Sequence, residues 1–321
     1  MTTEFYPFIF QPILKEKVWG GQKLHAHFHK GNNADAKVGE SWEIADLKEG
    51  QSIVKNGDLT GKTLKQLINM NPDGLLGEKV HKRFGKQFPL LIKFIDAAKD
   101  LSIQVHPSDE NSPTGTGKTE MWYIMQADPG AKLTVGFVPH MSRDKFEGHI
   151  EENTVEEAMD THEVNAGDSY FINAGRIHAI GGGIVLAEIQ QTSDVTYRVY
   201  DYNRPDDDGN LRELHIEDSL KVLDYKNAQD FKLDYDRKPN TVETLKHHTY
   251  FKTDWLEIKE EPHTISRKDS FSIVIVVSGK LNYTFKGQQS ELLAGQSLLI
   301  PANCENVTLN ATDCQILEVS L

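Results

Sequence analysis

Residues 102–106 alternate, with Ser102, Gln104 and His106 on one parity and Ile103 and Val105 on the other. Successive strand side chains point to opposite faces, so the three polar groups share a side. That side either faces water or lines the inside of a barrel. Residues 89–106 read as two apolar strands joined by a polar turn, and "EMWYIMQA" (120–127) reads as another strand. Residues 1–57 show short strands and turns. The spacing of Leu64, Leu67 and Ile68 predicts helix within 60–86, broken at Asn71-Pro72-Asp73-Gly74. The charged run 142–160, low in β-branched residues, predicts one or two short helices. Strand character returns over 167–204, with Gly175 and Gly181–Gly183 in turns, and the acidic "PDDDGN" (205–210) reads as a loop tip.

Two segments resemble each other. "VNAGDSYFINAGRIHAI" (164–180) and "LLAGQSLLIPANCENVT" (292–308) share AG-x-S-x-x-I-x-A at equal spacing. This predicts two copies of a small β-barrel unit, with His178 of the first replaced by Glu305 in the second. The polar, aperiodic stretch 224–245 holds the boundary. The expected division is a catalytic unit over 1–240, with helical insertions near 60–86 and 142–160, and an all-β unit over 241–321.

Composition narrows the partners. The 321 residues carry 48 acidic against 35 basic side chains, a net charge of -13. That balance argues against nucleic acid and anionic membrane surfaces, which reward basic patches. An anionic substrate must be held by a few local cations. No apolar run reaches the length of a membrane span, and the first residues lack the pattern of a signal peptide. Cys304 and Cys314 are too few for a disulfide framework and predict two free thiols in a reducing cytoplasm.

The first unit supplies metal-ligand candidates. Gln104 and His106, two apart on one face, stand roughly 6.6 Å apart along the strand and can converge on one ion. Glu120 opens the next strand, and His178 follows the turn Asn173-Ala174-Gly175. Two nitrogens and two oxygens suit zinc, with nonheme iron or manganese as alternatives. Singly, each residue also reads as an ordinary hydrogen-bonded or solvated side chain.

The motifs "VWGG" (18–21), "GESWE" (39–43), "LSIQVHP" (101–107), "GKTEMWY" (117–123), "NAGRIH" (173–178) and "AEIQQTSDVTYRVYDYNR" (187–204) resemble type I mannose-6-phosphate isomerases of the short bacterial form, in the cupin superfamily. The resemblance covers residues 5–205 most strongly. It implies a mainly β fold of two cupin-type jelly-roll barrels with a small helical insertion. It implies one zinc per chain on Gln104, His106, Glu120 and His178, and interconversion of mannose 6-phosphate and fructose 6-phosphate. It places Arg198 at the family's catalytic arginine, and Trp19, Glu40, Lys93, Ser102, Lys118 and Glu188 in the pocket. A monomer or weak homodimer in the cytoplasm is the expected state.

Shifting a carbonyl between neighbouring carbons requires removing the proton alpha to it. A guanidinium stays protonated, so Arg198 suits an oxyanion better than a proton. Glu188 and Lys118 are the candidate proton carriers. If 188–198 is one unbroken strand, Glu188 and Arg198 share a face. Two other classes fit parts of the pattern. An iron-dependent cupin oxygenase needs open coordination positions that a ligand Gln104 would fill, and a non-catalytic sugar-phosphate-binding cupin would not need Arg198.

Overall fold

The computed structural model describes residues 4–205, 208–227, 229–266 and 269–321. Asp206 and Asp207 of the expected acidic loop tip lie outside the described residues. In chain order, the first part contains β1 (Ile13–Gly21), α1 (Lys23–Phe28), β2 (Val38–Ile44), α2 (Leu64–Met70), α3 (Pro72–Leu76), α4 (Glu78–Phe84) and β3 (Leu90–Ala97). There follow β4 (Ile103–Val105), β5 (Glu120–Ala127), β6 (Lys132–Phe137), α5 (Arg143–Glu151) and β7 (Met159–Glu163). Next come β8 (Ser169–Ile172), β9 (His178–Ile180), β10 (Ile184–Gln191), β11 (Tyr197–Tyr200), α6 (Ile216–Val222) and β12 (Lys232–Leu233). The protein is mainly β, as its sequence pattern implies.

Two antiparallel sheets build the first part. A seven-stranded sheet runs β12-β8-β5-β10-β3-β1-β2, and a five-stranded sheet runs β7-β6-β9-β4-β11. Parity decides what lies between them. Trp19, Ile95, Trp122, Ile124, Ile184 and Leu186 of the larger sheet pack with Leu133, Val135 and Ile180 of the smaller in one buried apolar cluster. Continuing two residues along the same strand faces reaches Lys93, Glu120 and Glu188. The interior is thus apolar over one stretch and charged over the next.

The other face of the seven-stranded sheet is also apolar. Leu90, Ile92, Phe94, Met121, Tyr123, Val185, Ala187 and Ile189 belong to a second cluster with Leu64, Leu67 and Ile68 of α2 and with Trp255, Ile273 and Ile275 of the C-terminal part. Burial on both faces explains why β3 and β10 are buried at every position. An eight-stranded sheet formed from Glu243 onward is organised around the long strand Ser272–Phe285. The chain's beginning joins it, with Phe8 and Leu299 exchanging two backbone hydrogen bonds of 2.7 and 2.9 Å.

Several local expectations need correction. The break at Asn71-Pro72 is a join between helices. Asn71 ends α2 and caps α3 through Gly74 N–H, and Pro72 takes the first helical turn, where its missing N–H costs nothing. The expected helical run 142–160 yields α5 and a 3-10 turn at Val155–Ala158, but Met159 already begins β7. Helices α1 and α6 lie outside the expected helical segments, although Ile216, Leu220 and Leu223 keep a helical spacing along α6 and its C-cap. The internal resemblance holds in backbone terms: Gly167 and Gly295 have φ of 86° and 81°, and each precedes a strand that opens at its serine. Equal counting from these glycines, however, places Asn306 rather than Glu305 opposite His178.

Candidate metal centre and active-site cavity

Strands of both sheets bring the ligand candidates together. His178 of β9 and Arg198 of β11 are both register partners of Gln104 on β4. Glu120 opens β5, opposite Gln190 of β10. The ligand atoms of His106, Glu120 and His178 all lie within 4.8 Å of one another, and the three side chains are fully buried. His178 Nε2 is 3.4 Å from Glu120 Oε1, His106 Nε2 is 3.7 Å from Oε2, and Gln104 Nε2 is 3.4 Å from His178 Nε2. Donors on a tetrahedral ion with bonds near 2 Å stand roughly 3.4 Å apart. These spacings fit one small divalent ion. Turning the Gln104 amide end for end presents its oxygen instead of its nitrogen.

The surroundings prepare the donors. His106 Nδ1 lies 2.9 Å from the Val195 carbonyl and His178 Nδ1 lies 2.8 Å from the Arg176 carbonyl. Each Nδ1–H can donate there, which leaves the Nε2 lone pair toward Glu120. Burial pushes the His106 imidazole well below its usual range and His178 down to about 4, so both are neutral. Burial also drives the Glu120 carboxyl up to about 7, against the Lys118 ammonium. Glu120 Oε1 finds no hydrogen-bond donor among the described residues. A buried carboxylate oxygen without a donor, faced by two neutral imidazoles, is chemically matched to a divalent cation.

A cavity of about 290 Å³ opens above this cluster. Trp19, Glu40, Lys93, Ser102, Gln104, Lys118, Glu188 and Arg198 all line it. His106, Glu120 and His178 lie beneath the lining. Lys118 joins the two levels: its Nζ is 3.0 Å from His106 Nε2, 2.9 Å from Glu120 Oε2 and 3.9 Å from Glu188. Lys93 Nζ sits 3.1 Å from Glu188 Oε1 and 3.9 Å from Glu40, and Trp122 Nε1–H donates to Glu188 Oε2 at 3.0 Å.

These contacts set charge. Burial alone would raise the Glu188 carboxyl, but the Lys118 and Lys93 ammoniums outweigh it and hold it below the usual range. Glu40 is likewise brought to about 2 against its burial by Lys93 and Lys17. Lys93 is raised despite burial by Glu188 and Glu40 and stays protonated. Trp19 is both wall and core, since it lines the cavity and belongs to the apolar cluster beside it.

Glu188 and Arg198 do not share one strand. Gln191 ends β10, Tyr197 begins β11, and the two strands belong to different sheets. The segment between them crosses from one sheet to the other, and both side chains still reach the cavity. Arg198 Nη1–H donates to the Glu213 carbonyl at 2.7 Å.

Lys17, Asp194, Thr196 and Arg212 also line the cavity. The first three carried a readable signal, because they continue the parity of Trp19 and Arg198. Arg212 comes from a polar stretch with no period. Its guanidinium clamps both carboxylate oxygens of Asp201, with Nε 2.6 Å from Oδ2. Cys304 and Cys314 are free, buried thiols, each pushed up to about 12 by burial, and they lie in the C-terminal part. Among the described residues, no helix is long and apolar enough to cross a membrane.

The chain is similar to known proteins over nearly its whole length. A family model described as the catalytic domain of type I phosphomannose isomerase matches residues 8–131, and one described as the mannose-6-phosphate isomerase cupin domain matches 241–321. The chain is 33% identical to "Probable mannose-6-phosphate isomerase GmuF" of Bacillus subtilis, over 97% of this chain and 98% of that protein. It is 40% identical to "Mannose-6-phosphate isomerase ManA" of the same organism, over 70% of this chain and 69% of that one. The crystal structure of a mannose 6-phosphate isomerase from Bacillus subtilis superposes with a TM-score of 0.89 at 30% identity, covering 98% of this chain and 99% of the other. With catalytic-domain and cupin-domain matches, a relative 33% identical over nearly its whole length and a solved structure of the same fold, the chain belongs to the type I mannose-6-phosphate isomerase family.

Proposed function

We propose that this protein is a zinc-dependent aldose–ketose isomerase that interconverts mannose 6-phosphate and fructose 6-phosphate through an enediolate. The observation that carries the reading is the convergence of His106, Glu120 and His178 directly beneath a cavity lined by Lys93, Lys118, Glu188 and Arg198. Gln104, His106, Glu120 and His178 are the proposed ligands. A zinc ion held by two neutral imidazoles, an amide and one carboxylate keeps net positive charge and supplies Lewis acidity to the substrate oxygens.

The remaining chemistry belongs to side chains. In the aldose-to-ketose direction a base takes the proton from C2 as the negative charge moves onto the C1 oxygen, a proton passes from the C2 hydroxyl to that oxygen, and the carried proton returns at C1 as the C2 carbonyl forms. Glu188 is ionised and lines the cavity, and Lys118 is the second candidate carrier beside it. Arg198, fixed by the Glu213 carbonyl, stabilises the developing oxyanion. Lys93 stays protonated and meets the substrate's anionic charge, Ser102 and Glu40 serve as polar contacts, and Trp19 forms an apolar wall. Iron in place of zinc would not change these side-chain roles.

The finer architecture belongs to the same proposal: two cupin-type jelly rolls divided near residue 240, with helical insertions near 60–86 and 142–160 in the first. The phosphorylated hexose is the proposed partner of a cytoplasmic monomer or weak homodimer. Isomerisation followed by NMR in deuterium oxide tests the reaction. Fructose 6-phosphate formed from mannose 6-phosphate, with deuterium entering at the carbons that exchange protons, is the expected result. Mannose 6-phosphate left unchanged by metal-replete protein would reject the assignment.

A further inference from the structure

The two metal-ligand candidates His106 and Glu120 are joined by a loop, Pro107–Thr119, that also carries Lys118. A loop of this length holds its ends in place only if something laces it. The lacing converges on Asp109. Its Oδ1 accepts Gly117 N–H at 2.7 Å and Gln191 Nε2–H at 2.9 Å. Gln191 in turn accepts Thr119 N–H on its Oε1 at 2.9 Å. Lys118 N–H donates to the Pro107 carbonyl at 3.0 Å, closing the two stems together. The approach is so close that a Cβ on Gly117 would stand 2.6 Å from the Asp109 nitrogen, which only glycine avoids.

The remaining Asp109 oxygen is held from the other part of the molecule. Tyr250, in the turn before the strand Lys252–Ile258, donates its hydroxyl to Asp109 Oδ2 at 2.6 Å. That turn is itself tied to α4, where Arg83 Nη1–H donates to the Thr249 carbonyl at 2.6 Å. Tyr250 is not among the residues that line the cavity above the metal cluster.

We propose that Tyr250 is a positioning residue, through which the C-terminal part clamps Asp109 and thereby holds Glu120 and Lys118 in register with His106. The consequence for the metal rests on the function proposed above, whereas the consequence for the loop does not. Removing the hydroxyl leaves the cavity lining untouched and loosens the loop on which one ligand and Lys118 ride.

Tyr250→Phe and Asp109→Asn test the clamp in the full-length chain, with hydrogen exchange at the Gly117 and Thr119 amides and zinc transfer to a chromophoric chelator as readouts. The expected result for Tyr250→Phe is faster exchange at both amides and zinc release accelerated by about tenfold, the lower end of what outer partners of metal ligands contribute. Asp109→Asn should do at least as much. The double variant should release zinc no faster than Asp109→Asn alone, because both changes break one contact. Exchange or zinc release unchanged from wild type in either folded variant overturns the clamp, even if the melting temperature falls, as does a double variant in which the two effects simply add. Wild-type protein that takes up no divalent ion contradicts the metal site itself, and amide exchange alone then judges the clamp.

Discussion

Arg198 separates two accounts of the cavity. Its guanidinium lines the wall, is anchored by the Glu213 carbonyl, and has a second arginine, Arg212, nearby that is committed to Asp201. Arg198→Lys keeps the charge and loses the planar fork. If the fork is used on the developing oxyanion, kcat falls by roughly 10²–10³ while KM changes much less. A raised KM with wild-type kcat would show that Arg198 only grips the ground-state phosphate. Metal content should be the same in both cases. Part of the site is legible in the sequence: the alternation of Ser102, Gln104 and His106 marks one polar strand face, whereas Trp19, Glu40, Lys93, Lys118, Glu188 and Arg198 are implied by the family resemblance, and these six line one cavity with Ser102 and Gln104. Arg212 was not legible, because its place depends on a long-range pair with Asp201 that no local period announces.

At the scale of elements, local signals worked where one rule dominated. Helix α2 has a capping box, with Thr63 and Gln66 each accepting the other's backbone N–H, and it buries Leu64, Leu67 and Ile68. Thr63→Ala removes one half of that exchange and should lower stability by about 1 kcal/mol, with kinetics unchanged, since the cap lies on the helical layer outside the cavity. Chemical denaturation of the variant checks this, and an equal loss of turnover in folded protein would tie α2 to the site. Local signals failed where tertiary pairing decided the outcome. Met159–Glu163 has little strand character by composition but pairs with Lys132–Phe137. An unbroken strand from Glu188 to Arg198 would put both on one face, yet the run is divided because its two halves serve different sheets. That division is what lets the two residues address one cavity from different sheets.

For the whole molecule, the decisive feature is the seven-stranded sheet, which is buried on both faces. One face carries the apolar cluster and then the charged cavity. The other shares a continuous core with α2–α4 and the C-terminal sheet. A core that crosses the expected boundary near residue 240 couples the two parts. Calorimetry should therefore show one cooperative transition, and two well-separated transitions would show parts that fold independently. The sequence announced two similar β units but not this coupling, since the outward parity of "LLIKFIDA" reads equally well as any buried strand.

The central claim is that an ion held by Gln104, His106, Glu120 and His178 is required for the turnover of a hexose 6-phosphate in the cavity above. The most direct measurement is a coupled assay of fructose 6-phosphate formed from mannose 6-phosphate, run on untreated protein, on chelator-treated protein and after zinc is returned. The account predicts turnover, its loss on chelation, and recovery at about one zinc per chain. Full activity in protein stripped of divalent ions would contradict it.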